Sequence, residues 1–346
     1  MRVSLFRVAV VCAALGMVPS LSAQSLRAFN GTQDSELLKD YFFEEHGDGS
    51  IVTADAFGTY VFRDFTEYIG SSFFVDHGLR CGNERLPQFM SLGAPSDCNS
   101  SNTNPAVEYD PAGGVLWDIP VWVHVLRRTS GQGNITDPTI ASQITVLNED
   151  FQALAGSLGA PGTNVRIKFH LAGVTRSNNN NWYNDRGTYY NSLARDVRTN
   201  LNIYTNTASG NLGYAYVPSG GGVVGNTFDR VVIYWPAFGK PGSYGAPYNL
   251  GRTVTHEVGH YLGLYHTFQG GCASPAGCAT NGDLICDTLP ESTPNFSPCT
   301  RSTCGDPDPT SNYMDYSDDV CMNNFSANQA RRMRCTMANF RTLLAR

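Results

Sequence analysis

Between positions 256 and 266 the chain reads His-Glu-Val-Gly-His-Tyr-Leu-Gly-Leu-Tyr-His, placing three of its seven histidines in one short window. Residues four apart stack on one helix face, so His256 and His260 can present two imidazoles to one zinc ion about 2.0–2.1 Å away. Glu257 falls off that line, where a carboxylate takes a proton from bound water instead of ligating the ion. Gly263 stops the helix with a turn that a residue lacking Cβ makes at low cost, and the chain returns His266 as a third ligand. Three protein ligands leave the fourth position open. A water held there has its pKa lowered to about 7, which marks a hydrolytic site more than a structural one.

The elements that position these residues are legible around them. Ile119–Leu126 alternates as the opening strand of the main domain, with His124 read as a core residue inside the sheet. Asp137-Pro138 reads as an N-cap followed by proline at the first helical position, and Ile140, Ile144, Leu147 and Phe151 then form one apolar helix face. Val165–Leu171, Leu201–Tyr204 and Val231–Tyr234 read as further strands. Leu212–Tyr216 reads as an exposed edge strand, with Gly213, Tyr214 and Ala215 open to pairing with an extended peptide. Near the end, Ser326 and Gln329 form a capping box ahead of Met333, Met337, Phe340 and Leu344, a packing helix.

With 346 residues, 41% apolar and 16% charged, the chain can bury one or two ordinary cores and is not a disordered protein. Residues 1–23 read as an export leader: Arg2 and Arg7, an apolar stretch from Val8 to Met17 too short to span a bilayer, then a Ser-Leu-Ser-Ala cleavage site. A secreted, extracellular product without a membrane anchor is expected. The formal net charge of −6 includes no basic stripe, which argues against nucleic acid as a partner. Of ten cysteines, Cys12 leaves with the leader and nine remain. Six of them (Cys272, Cys278, Cys286, Cys299, Cys304, Cys321) lie in one Gly/Pro/Thr-rich stretch, as expected of a long loop cross-linked in an oxidising compartment. Residues 24 to about 92 carry short aromatic runs that suit a small appended layer, and 93–114 read as an exposed linker.

From about residue 116 to 342 the chain resembles the metzincin zinc peptidases, and among them the pappalysin family with its ulilysin-like bacterial secreted enzymes. The resemblance rests on the full H-E-x-x-H-x-x-G-x-x-H pattern, on Gln143–Phe151, on Tyr248-Asn249-Leu250-Gly251-Arg252, and on Asn312-Tyr313-Met314-Asp315-Tyr316 with Cys321-Met322. It implies an α+β fold: a twisted mixed, mostly parallel sheet with an antiparallel edge strand, two long helices and a zinc cleft. A disulfide-rich, irregular C-terminal subdomain would end in a helix. The implied domains are a leader (1–23), a pro-segment and linker (24–100, boundary between 80 and 114) and a catalytic domain (101–346).

The same resemblance implies that Met314 floors the zinc site and that Tyr316 hydrogen-bonds the tetrahedral intermediate, while Glu257 moves the proton. It pairs Cys272 with Cys304 and Cys299 with Cys321, leaving Cys278 with Cys286 as an extra bridge. Asp319, after the methionine turn, is expected to shape the pocket for the residue following the cut bond and to favour Arg or Lys; a solvated acidic loop or a calcium ligand is the alternative. Asp283, Asp287 and Thr288 offer oxygen ligands for structural calcium, against a hydrated loop. Leu79-Arg80-Cys81-Gly82-Asn83 is similar to the segment by which metzincin precursors set a thiolate on the zinc, so the pro-segment is expected to act as the chain's own inhibitor. Cys98 would then join Cys335, whereas a Cys81–Cys98 disulfide is the competing arrangement. The overall expectation is a monomeric, secreted zinc endopeptidase acting on proteins and peptides and made as a latent precursor. The rival from another class is an idle zinc-containing binding or adhesion module, which has no use for a carboxylate at Glu257.

Overall fold

The computed structural model describes residues 40–83, 107–218, 223–272, 278 and 282–344. The leader, Cys98 and most of the linker lie outside the described residues. Phe42–Glu45 (β1), Ile51–Ala54 (β2) and Thr59–Phe62 (β3) pair antiparallel into a three-stranded sheet. Phe65–Ile69 (α1) and Ser72–Asp76 (α2) follow, each started by a side chain that accepts a free backbone N–H: Asp64 from Glu67 and Ser71 from Phe74.

Trp117–Arg127 (β4), Asp137–Phe151 (α3), Ile167–Asn178 (β5), Leu201–Asn206 (β6), Gly213–Ala215 (β7) and Val231–Tyr234 (β8) build the main layer. The strands lie in the order β5-β4-β6-β8-β7, all pairs parallel except β7 on β8. This is the mostly parallel sheet with an antiparallel edge that the resemblance implies. Side chains alternate across the pleat, so both faces are buried by different partners. Ile119, Val121, Val123, Val125, Ile203, Val231 and Ile233 meet Ile140, Leu147 and Phe151 of α3. Leu126, Tyr204, Val232 and Tyr234 face the other way, into an aromatic cluster with Phe65, Tyr68, Phe74 and Leu79 of the N-terminal layer.

Arg252–Tyr261 (α4) packs on the first of these faces, with Val254 and Val258 in the same core as α3. Ala327–Asn339 (α5) closes the domain behind a capping box at Ser326 and Gln329, with Met333 and Met337 buried. Three disulfides brace the irregular stretch between these helices: Cys272–Cys304, Cys278–Cys286 and Cys299–Cys321. Cys335 is also disulfide-bonded. Among the described residues no helix is long and apolar enough to cross a membrane.

Several local expectations need correction. Thr136, not Asp137, is the N-cap of α3; its hydroxyl accepts from Thr139 N and leaves Asp137 as the first helical residue, where its charge favours the helix dipole. β5 begins at Ile167 because Arg166 has φ +57°, and it runs on to Asn178 in register with β4 although its second half is too exposed to alternate visibly. α5 ends at Asn339, so Phe340 and Leu344 lie beyond the helix, yet Leu344 still reaches the core. His124 is buried between Thr175 Oγ1 (2.8 Å) and Asn202 Oδ1 (2.9 Å), a sheet residue as read from the sequence.

Candidate metal centre and cleft

Helix α4 starts at Gly251, which holds φ +81°, and ends before Gly263 at φ +97°. His256 and His260 sit one turn apart on its inner face, and the glycine turn brings His266 back beneath them. The His260 Nε2 lies 3.1 Å from that of His256 and 3.0 Å from that of His266. His256 Nδ1 donates to the Tyr313 carbonyl at 2.7 Å and His260 Nδ1 to that of Leu264 at 2.8 Å, which leaves both Nε2 atoms with lone pairs facing each other. Two lone pairs at that distance repel, and a shared cation turns the repulsion into ligation. Burial holds all three imidazoles in the neutral, ligating form: it lowers His260 to about 4 and depresses His256 and His266 well below the usual histidine range, helped by the neighbouring rings. The residues present therefore fit a zinc ion.

Cys81 completes the cluster. Its sulfur and the three histidine nitrogens all lie within 4.8 Å of one another, and all four residues are buried. Cys81 is a free thiol, so the Cys81–Cys98 disulfide does not form. Its Sγ is 3.5 Å from Glu257 Oε2. Glu257 Oε1 has no hydrogen-bond partner among the described residues, and burial pushes the carboxyl up to about 8.

Met314 lies under α4 as a floor. A Cβ added at Gly259 would stand 2.4 Å from its sulfur, so the glycine is what lets helix and floor touch. The Tyr316 ring packs 4.9 Å from His266, and its hydroxyl donates to the carbonyl of Cys81 at 3.2 Å.

Strand β7 borders the same space. Gly213 is packed so closely that a Cβ there would meet Glu257 Cγ at 2.7 Å. Gly213, Tyr214 and Ala215 are buried, which corrects the expectation of an exposed edge: Leu79–Gly82 covers it. Gly82 N donates to Gly213 O at 2.8 Å, and Leu212 N to Leu79 O at 2.9 Å. A free strand edge has been filled by backbone pairing with the chain's own segment.

Arg80 entered the sequence reading only as part of the Leu79–Asn83 segment, with no role of its own. Its guanidinium is fully buried, 3.5 Å from Asp319 Oδ1, 2.9 Å from Thr253 Oγ1 and 4.9 Å above the Tyr248 ring. Asp319 Oδ2 accepts the backbone N–H of Leu250 (2.8 Å) and of Arg252 (3.3 Å), which ties its orientation to the start of α4. Asp150, also missed, supports that helix from α3: its carboxylate accepts from Arg252 Nη2 (2.9 Å), Thr255 Oγ1 (2.7 Å) and Tyr313 hydroxyl (2.8 Å). The signal for it was an acid at a position in register with Gln143, Val146 and Leu147 on the buried face of α3. Asp283 and Thr288 come together, with the threonine hydroxyl 2.8 Å from Asp283 Oδ2. Asp287 turns instead to the start of α5, accepting from Ser326 Oγ (2.6 Å) and Asn328 N (2.9 Å).

Comparison with known proteins follows the same outline. The family model described as Peptidase M43, pregnancy-associated plasma protein-A, matches residues 194–338. An extracellular metalloprotease 1 of Coccidioides posadasii is 38% identical over 232 residues, covering 65% of this chain and 78% of that protein. An extracellular metalloprotease of Pyricularia oryzae is 34% identical over 286 residues, covering 78% of this chain and 93% of that protein. Among solved structures, mature mirolysin of Tannerella forsythia in complex with a cleaved peptide superposes with a TM-score of 0.54 at 34% identity, over 67% of this chain and 99% of that one. A promirolysin mutant from the same organism gives 0.51 at 32% identity, over 69% of this chain and 85% of that one.

Proposed function

Because the chain belongs to the pregnancy-associated plasma protein-A (pappalysin) family of metallopeptidases, we propose that it is a secreted zinc endopeptidase made as a latent precursor, with His256, His260 and His266 as the zinc ligands. When bound, the zinc acidifies water and polarises the scissile carbonyl. Glu257 supplies the base: its carboxylate takes the proton of the attacking water and returns it to the leaving amine nitrogen. The Tyr316 hydroxyl donates to the carbonyl oxygen as charge builds on it. Strand β7, through the Gly213 carbonyl, holds the extended chain by main-chain pairing. Asp319 receives a basic side chain after the cut bond.

One observation carries this reading: Arg80-Cys81-Gly82 lies in the cleft and engages each of these groups at once. Cys81 faces the imidazoles, its carbonyl takes the Tyr316 hydroxyl, Gly82 pairs with Gly213, and Arg80 occupies the Asp319 pocket. An arginine already held there supports a preference for Arg or Lys. It also supports residues 24–100 as a pro-segment, cut between 80 and 114, and 101–346 as the catalytic domain. In the precursor Cys81 would be the fourth residue to hold the zinc, its sulfur standing where the attacking water would otherwise bind. For calcium, the proposal rests on Asp283 and Thr288 with Asp287 nearby in sequence, and added calcium should raise the melting temperature of wild type but not of Asp283→Asn.

The deciding experiment gives matured wild-type and Glu257→Ala proteins the same diverse peptide mixture, with and without a zinc chelator. Wild type should cut before Arg and Lys and stop on chelation; the variant should keep its zinc and lose activity by about 100- to 10,000-fold. Undiminished cleavage by the variant would overturn the reading.

A further inference from the structure

Away from the metal centre, the N-terminal layer buries a carboxylate against the rest of the molecule. Glu45, at the end of β1, is 1% exposed. Its Oε2 accepts the Tyr183 hydroxyl (2.7 Å), the Tyr234 hydroxyl (2.9 Å) and the Trp235 indole N–H (3.2 Å), and its Oε1 accepts Gln132 Nε2 (2.8 Å). Arg128 donates to the Glu45 backbone carbonyl while its guanidinium lies over the Tyr183 ring. Every one of these donors belongs to residues 128–235, beyond the expected processing zone. This carboxylate takes its side-chain hydrogen bonds from four neutral donors aimed at one point, with the Arg128 charge nearby favouring its ionised form, a constellation that recognises an acceptor by geometry.

Two residues earlier on the same strand face, Phe43 packs edge-on against Tyr234 with ring centres 5.9 Å apart. It lies so close to Gly210, at φ +94°, that a Cβ there would be 2.6 Å from the phenyl ring. Tyr234 N in turn donates to Leu212 O at 2.7 Å, which links the cup to the strand that borders the metal centre. Removal of residues 24–100 would bare the four donors together with the aromatic face of β8, a mixed polar and apolar surface of the kind that marks a binding site.

We propose that the catalytic domain carries a carboxylate receptor made by Gln132, Tyr183, Tyr234 and Trp235, with Glu45 as its resident ligand in the precursor. After maturation it takes an acidic side chain from an extended protein substrate that carries an aromatic residue two positions earlier. This exosite rests on the precursor reading above and adds to it a substrate feature remote from the cut bond.

The test uses protein matured from the full chain and a synthetic peptide of residues 40–47, which contains no Arg or Lys, titrated against the protein's tryptophan fluorescence. The peptide should bind, and its Glu45→Gln version about tenfold more weakly, as loss of hydrogen bonds to a charged group implies. Tyr183→Phe and Tyr234→Phe proteins, each verified by melting temperature, should narrow that gap. Equal binding of the two peptides, binding of neither, or a gap untouched by both tyrosine variants would overturn the receptor. Since binding is read without hydrolysis, that failure leaves the peptidase reading standing, and a protein that binds but does not cut separates the two the other way. A second readout is the cleavage profile of a proteome-derived peptide mixture: Glu or Asp should be enriched at one fixed distance from the cut bond in wild type and not in a protein carrying both Tyr183→Phe and Tyr234→Phe.

Discussion

Arg80 and Asp319 meet 3.5 Å apart with neither side chain reached by solvent. A buried ion pair is a weak source of net stability, but removing one member strands the other, at a cost of about 3–5 kcal/mol. The pair ties Arg80, in the proposed pro-segment, to the start of the helix that carries His256. If the proposed maturation removes residue 80, Arg80→Ala in the full chain should speed activation and lower the melting temperature of the precursor while leaving the matured protein unchanged. Following peptidase activity against time after addition of an activating protease checks this. An unaltered activation rate would sink this expectation.

Gly213 and Glu257 touch through the one position on β7 that has no side chain. Gly213→Ala should push the carboxylate off its place and lower kcat by about 100-fold, the scale of a misplacement near 1 Å. Zinc content, measured by elemental analysis, should stay at one ion per chain, because the three atoms nearest a Cβ at 213 all belong to Glu257 and none to a histidine. Loss of zinc in parallel with activity would show that the strand supports the metal and not the base.

With Tyr316 as the proposed donor to the developing oxyanion, Tyr316→Phe should reduce kcat by about 100- to 1,000-fold with little change in KM. A rise in KM at constant kcat would instead assign Tyr316 to ground-state binding.

Burial raises the Asp150 carboxyl to about 6, with Arg252, Thr255 and Tyr313 pulling back against it. A carboxyl whose folded pKa lies above its unfolded value near 3.8 stabilises the fold fully below pH 4, and that contribution is lost as pH rises through 6. Asp150→Asn does not titrate. The stability advantage of wild type over this variant should thus shrink by on the order of 2–3 kcal/mol between pH 4 and pH 7, as read from urea midpoints. An advantage that grows with pH would mean the Arg252 pairing dominates.

Much of the metal centre was legible because its parts are local. His256, Glu257, His260, Gly263 and His266 are held to one helix and one turn, so spacing alone determines which of them share a face. The strands of the sheet, α3 and α5 were equally readable from apolar periodicity, and Met314 and Tyr316 entered through their place after the zinc motif. The ends of elements were less so: Thr136 and Asp137 differ as caps by one side-chain bond that no pattern reveals, and the outer half of β5 is too exposed to alternate.

Only the tertiary structure decided what lies opposite what. Residue types declared that Cys81 was able to bind a metal; the fold decided that it faces the imidazoles, stays free of Cys98, and brings Arg80 onto Asp319. Tyr183, Tyr234, Trp235 and Gln132 carry no pattern in the chain, yet they converge on Glu45. The physical reason is range. Helix and strand periodicity propagate through backbone hydrogen bonds between near neighbours, whereas a buried charge selects its partners by desolvation, a cost assessed on whatever residues the packed chain brings within about 4 Å.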